Sequence, residues 1–179
     1  MKLENTDSSP YNPMINAGAI VVASCLASEI SFDTMLDTIR ALCMDPDINL
    51  DKKVYHSEMS HISRNRAIAY LLESKGYIEK NKDVENSLHF YVKMCSLSVT
   101  AESLAGLGLI LANDGIHPDT GKRLLSSQAV KIVKTLMFTC GMYDGSGEFA
   151  VRVGIPSKSG VGGGILSVVD GEMGIGIFG

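Results

Sequence analysis

Apolar positions recur at three- and four-residue spacings over most of this chain, and past Gly145 the recurrence falls to two. The first period marks helices with one buried side, and the second marks strands. The run INAGAIVVASCLASEI, residues 15–30, is apolar nearly all round and predicts a buried helix. Phe32, Met35, Leu36, Ile39, Leu42 and Cys43 form the stripe of a second helix, which Ser31 can cap and Asp45-Pro46 ends. Ser57 is placed to cap a third helix running to Lys75, with Gly76 as its left-handed stop. Val84, Leu88, Tyr91 and Cys95 predict a fourth. A fifth runs from a Thr100 cap to Asn113-Asp114-Gly115, and a sixth starts at Ser126 or Ser127 and ends before Gly141. Three strands are then expected, EFAVRVGI, ILSVV and MGIGIF, the last two joined around Asp170-Gly171-Glu172.

This order, helices and then an antiparallel meander, places the chain in the α+β class. Residues 1–144 form the mostly helical part and 145–179 the strands, together read as one domain. Eight of the 18 glycines fall between Gly160 and Gly179, inside the expected sheet. Three strands with an open edge rarely stand alone, so the sheet is expected to be incomplete.

Composition narrows the function classes. With 45% hydrophobic residues in 179, the chain can bury a core. The net charge is -4, from 16 basic and 20 acidic residues that are interspersed. No basic stripe points to nucleic acid, and a small molecule or a protein is the expected partner. Cys25, Cys43, Cys95 and Cys140 lie far apart with no C-x-x-C pair, so neither a metal site nor a disulfide framework is expected. No apolar run reaches membrane-spanning length, and the first residues, MKLENTDSSPYN, are polar, which makes a cytoplasmic protein the expectation.

Four stretches could carry chemistry. Glu58, His61 and Asn65 fall on one face of the expected third helix, where a carboxylate and a carboxamide can hold an ammonium and an amide. A solvated helix face explains them as well, and His61 has no second histidine at ligand distance. Asn12 and Asn16 flank a helix start, where free backbone N–H groups favour an anion or simply need a cap. Tyr143 sits in a glycine-rich turn, CGMYDGSG, that also reads as an ordinary loop. The most specific stretch is Lys158-Ser159-Gly160-Val161-Gly162-Gly163-Gly164. A Lys-Ser/Thr-Gly triplet on a strand is the third element of the serine acyl-transferases, and bare glycines leave N–H groups able to face a developing oxyanion. The first element of that set, Ser-x-x-Lys, is absent: no lysine in the chain has a serine three residues before it. Ser159 with Lys158 is a poor substitute, since adjacent strand residues face opposite ways.

Taken together, NPMINAGAI (12–20), SEMSHISRN (57–65), FYVKMCSLSVTAES (90–103), TCGMYDGSGEFA (139–150) and PSKSGVGGGI (156–165) resemble the serine-dependent glutaminases, relatives of the β-lactamases. The resemblance implies part of a β-lactamase/transpeptidase-like fold and hydrolysis of L-glutamine to L-glutamate and ammonia through an acyl-serine. It implies that Asn16, Glu58, Asn65 and Tyr91 bind the amino-acid end of glutamine. By the same resemblance Tyr143 is catalytic, Val161 supplies an oxyanion N–H, and Lys158 and Ser159 support them. It implies no cofactor, no metal, no nucleic acid, no membrane, and a homo-oligomer, commonly a tetramer. It further implies that Ser-x-x-Lys and several sheet strands lie outside these residues, so that this stretch alone has little or no turnover. The rival expectations are another acyl-serine amidohydrolase of the same architecture, and a non-catalytic assembly module whose edge strand pairs with another chain.

Overall fold

A computed structural model describes residues 10–179. Its elements run α1 (Asn16–Ala27), α2 (Phe32–Cys43), β1 (Asn49–Leu50), α3 (Lys52–Ser60), α4 (Ser63–Ser74), α5 (Val84–Cys95), β2 (Leu97–Ser98), α6 (Ala101–Ala112), α7 (Ser127–Cys140), α8 (Ser146–Arg152), β3 (Ser157–Ser159), β4 (Gly164–Val169) and β5 (Met173–Phe178). The α+β expectation is met. The chain divides into two compact units, one holding residues up to Met35 together with Asn49–Ser98, the other Leu36–Ile48 with Val99–Gly179.

The first unit is a helical cluster. Ile20, Ile62, Ala69, Leu72, Ile78, Val84, Leu88 and Val92 form its core, where α1 packs on α5 and α4. Around it Arg66 makes a two-pronged hydrogen bond to Glu85, at 2.9 and 3.1 Å, and the Tyr70 hydroxyl donates to the same carboxylate. Glu85 is held below the usual carboxylate range, first by the Arg66 hydrogen bonds. Helix α1 is buried at Gly18, Ile20, Ala23 and Ser24, but Val22 is 45% exposed, so it is covered on one side rather than all round.

The second unit is a three-stranded antiparallel sheet, ordered β3-β4-β5, with helices against it. The register sets Ser157 opposite Ser167, Ile165 opposite Ile177 and Val169 opposite Met173. Helix α6 packs on β5 and β4 at backbone contact. A Cβ on Gly176 would stand 1.8 Å from the Ala101 carbonyl oxygen, and one on Gly174 2.1 Å from that of Ala105. The alternating glycines of MGIGIF therefore exist to admit a helix backbone. The Thr100 cap is a closed capping box, with 3.0 Å bonds both ways between Thr100 and Ser103. The single Ser103 hydroxyl proton goes to Asp45 at 2.6 Å, so Thr100 donates in the 2.8 Å contact between the two hydroxyls.

Two expected elements are corrected. The third helix is two: α3 begins at an Asp51 cap, whose side chain accepts from the N–H groups of Lys53 and Val54, and Ser57 lies inside it. The chain breaks at His61 so that Ile62, 3% exposed, enters the core before α4 starts. The expected strand EFAVRVGI is mostly α8, and strand pairing begins only at Ser157. Its alternation does not reflect a half-buried sheet face, because Val151 is 88% exposed. What holds the helix start is buried Ser146, which accepts from the Met142 N–H and donates to the Tyr143 carbonyl.

Candidate functional site

The residues singled out fall into two groups, one in each unit. In the helical unit, Asn16 opens α1 and Asn65 lies in the first turn of α4, and the Asn16 amide donates to the Asn65 side-chain oxygen at 3.0 Å. Residues 49 apart in sequence thus share one polar contact. Glu58 is on α3, and Tyr91 and Cys95 are on α5. The Cys95 thiol is hydrogen-bonded with Tyr91 and lies within the field of Glu58. Burial and, to a lesser degree, Glu58 push the Cys95 thiol pKa up, while the Tyr91 hydrogen bond acts in the opposite sense. The structure therefore links Asn16 with Asn65, and Tyr91 and Glu58 with Cys95.

The expected geometry for Glu58, His61 and Asn65 does not hold, since the three are not on one helix. Glu58 is in α3, Asn65 in α4, and His61 caps the C-terminus of α3, its ring contacting Ser60 and the Ser57 carbonyl. Asn12 is an Asx-turn residue whose side chain accepts from the Met14 N–H at 2.8 Å. It sits against Gly18 so closely that any Cβ there would meet its carbonyl oxygen at 2.0 Å. The close approach sets the entry into α1.

In the sheet unit, Tyr143 begins a single 3₁₀ turn, Tyr143–Gly145, in the left-handed region at φ 52°. A non-glycine residue at such an angle stores strain, and strain of this kind concentrates at functional positions. The turn is fastened to β3, for the Ser159 N–H donates to the Gly141 carbonyl at 3.1 Å. Lys158, half-buried on β3, donates to the Ser159 carbonyl and sets its ammonium 4.8 Å from the centre of the Tyr143 ring. Burial lowers the Lys158 pKa, while the nearby Cys140 thiol acts in the opposite sense. Ser157 and Ser167 bond to each other at 2.7 Å, both buried.

Val161 is at the tip of the loop between β3 and β4, 97% exposed. The Gly160 N–H bonds back to Gly164 at 2.8 Å and the Gly163 N–H to Gly160 at 3.1 Å, which closes the loop beneath it. Among the described residues no acceptor meets the Val161 N–H. Of the glycines here only Gly163 is conformationally demanding, at φ 94° with the Gly179 carbonyl 2.4 Å from where a Cβ would be.

Clefts of about 410 and 360 Å³, lined around Asp83 in the first unit and Lys134 in the second, contain none of these residues. Among the described residues no three His, Cys, Asp or Glu side chains are grouped to hold a metal ion, and no single helix is long and apolar enough to cross a membrane. All four cysteines are free, and Cys43 is pushed up to about 11 by burial and by Asp45. Sequence reasoning missed the Tyr143–Lys158 contact and the Cys95 neighbourhood. The only signal for the first was a lysine on a strand after a glycine-rich turn, and for the second an i, i+4 spacing of Tyr91 and Cys95.

Comparison with known proteins places the chain in a class. The fold is that of solved bacterial glutaminases: a Bacillus subtilis glutaminase in covalent complex with 5-oxo-L-norleucine is 39% identical, with a TM-score of 0.88 over 98% of this chain and 62% of that one. Another Bacillus glutaminase structure, obtained in 4.3 M NaCl, is 40% identical with a TM-score of 0.87 over 95% of this chain and 59% of that one. The Glutaminase family model matches residues 1–179, and the chain belongs to the glutaminase family. The glutaminase of Fusobacterium nucleatum is 50% identical over 182 residues, 99% of this chain, and that of Clostridium botulinum 49% over 183 residues, all of this chain. The chain spans 59% of the length of each of these two relatives.

Proposed function

We propose that the whole protein is a glutaminase that hydrolyses L-glutamine to L-glutamate and ammonia, and that these residues supply its substrate cradle and part of its oxyanion hole. In this reading a serine from outside the 179 residues attacks the side-chain carbonyl. The carbonyl electrons move onto oxygen, ammonia departs with a proton delivered through Tyr143, and water then cleaves the glutamyl ester. Splitting amide hydrolysis into two steps replaces one high barrier by two lower ones. Glu58 holds the substrate ammonium, while Asn16, Asn65 and Tyr91 hold the rest of its amino-acid end. The Val161 N–H faces the developing oxyanion, and one such donor is worth about 3–4 kcal/mol.

The observation that carries the reading is the Asn16–Asn65 hydrogen bond, which joins two matched family positions from different helices. Reaction of the Bacillus subtilis relative with 6-diazo-5-oxo-L-norleucine to a covalent complex supports an enzyme nucleophile of the same kind. The absence of Ser-x-x-Lys from the sequence supports little turnover by these residues alone. The reading calls for no cofactor. It carries over a homotetramer from the resemblance alone.

The test is calorimetric titration of L-glutamine into the 179-residue chain and its Glu58→Gln variant. A charge-assisted hydrogen bond of this type is worth about 1.5–3 kcal/mol, so the variant is expected to bind roughly 10- to 100-fold more weakly. Equal affinity in the two, or steady glutamate production that survives Tyr143→Phe and Glu58→Ala, overturns the assignment.

A further inference from the structure

We propose that Lys158 is a positioning residue for Tyr143, its ammonium fixing the direction of the phenol ring. The inference rests on the reading of Tyr143 as a reacting group. It starts from two side chains that each lack an ordinary partner. Tyr143 is 53% exposed. Its backbone is pinned by the Ser146 hydroxyl, at 2.8 Å from the Tyr143 carbonyl. Among the described residues nothing bonds its phenol oxygen, and the Lys158 ammonium is the contact recorded for its ring. An exposed tyrosine with a fixed backbone and a free ring changes rotamer within nanoseconds.

Lys158 is the complementary case. It is half-buried, on the strand face opposite Ser157 and Ser159, and among the described residues it forms no ion pair. Burial without a counter-ion disfavours the ammonium, as its lowered pKa reflects. The charge is met by one carbonyl, that of Ser159, and by the ring face of Tyr143. A desolvated ammonium gains more from a ring quadrupole than a hydrated one does. The Ser159 residue that receives the ammonium on its carbonyl also fastens the tyrosine's turn through its N–H to Gly141. Strand β3 therefore controls both the backbone and the ring of Tyr143. A lysine is needed because its stem crosses the half-buried space and its charge ends over the ring; methionine has the stem without the charge.

The test is nuclear magnetic resonance of the 179-residue chain with carbon-13-labelled tyrosine rings. The Tyr143 signals are identified as those lost in Tyr143→Phe. Lys158→Met is expected to move them toward the position of free tyrosine and to sharpen them as the ring gains freedom, while Lys158→Arg, which keeps a cation over the ring, restores most of the shift. Amide-exchange protection along β4 and β5, in the same unit as Tyr143, reports whether each variant is folded. If Lys158→Met does not fold, the unsubstituted chain decides: the Lys158 ε-methylene protons are expected upfield of those of the other lysines and to lose that shift in Tyr143→Leu. Tyr143 signals that stay in place in a folded Lys158→Met, or a Lys158 ε-methylene indifferent to Tyr143→Leu, overturn the inference. Failure of the functional reading looks different: the ring shifts then follow the charge at position 158 as described, but glutamine binding ignores Glu58→Gln.

Discussion

The two units hold their candidate residues by opposite means. In the helical unit the candidate side chains project from well-formed helices, Asn16 bonding to Asn65, and Cys95 bonding with Tyr91 in the field of Glu58. In the sheet unit the backbone does the placing: a left-handed Tyr143, a closed glycine loop under Val161, and helix α6 resting on bare glycines. The difference teaches where each half is vulnerable. A side-chain site tolerates change at its own positions without loss of fold, whereas a backbone site fails when a single methyl group is added nearby.

The sharpest test of that contrast is Gly176→Val. With backbone atoms 1.8 Å from the new Cβ, no side-chain motion relieves the clash, and the cost should pass the ~3 kcal/mol usual for overpacking. Hydrogen exchange should show the sheet unit unprotected, and a variant with normal protection along β5 would remove the argument for the glycines. Next comes Leu88→Ala, at a fully buried position of the helical core. Denaturant unfolding is expected to show a loss of about 2–5 kcal/mol, and a loss below 1 would mean that this core is loosely packed. Thr100→Ala opens the capping box of α6 and should cost about 1–2 kcal/mol by the same measurement. The smallest effect is expected at Ser96, whose hydroxyl is buried with no partner among the described residues. Ser96→Ala should be neutral or stabilise by up to about 1 kcal/mol, since it removes an unmet polar group.

Acid compares the units in a different way. Glu85 in the helical unit, and Asp45 and Asp114 in the sheet unit, all have lowered pKa values, held by Arg66, Ser103 and Ser127 respectively as first cause. A carboxyl lowered on folding stabilises the fold fully above its unfolded value, 4.5 for Glu85 and 3.8 for the aspartates, and that stability is lost as pH falls through the folded value. These carboxyls should therefore leave the melting temperature unchanged above about pH 5 and lower it below about 4. Ser103→Ala should flatten the acid fall of the sheet unit only, and an equal change in both units would show that they do not titrate separately.

Much of this was legible in the sequence wherever a cap, a stop and a stripe agreed. Ser31, Thr100 and Ser126 each accept the N–H bond expected of an N-cap, and Gly76 takes the left-handed angle of a stop. The last two strands and their Asp170-Gly171-Glu172 turn also fall where alternation put them. The break between α3 and α4 was hidden because no glycine or proline marks it; it is made by the demand of Ile62 for the core, a tertiary cause. Helix α8 was hidden because Val151 and Val153 alternate without being buried, so the pattern mimicked a strand. Of the candidate site, residue types and blocks were legible, and contacts between distant helices such as Asn16 with Asn65 were not.

The seam between α6 and β5 has a consequence for how the chain is made. About 65 residues separate Gly108 from Gly174, so at synthesis rates of roughly 5–20 residues per second α6 leaves the ribosome some 3–13 s before the strand that covers it. During that interval the apolar run SLAGLGLILA, the last ten residues of α6, waits without its partner, so slower translation between Gly108 and Gly174 lengthens its exposure.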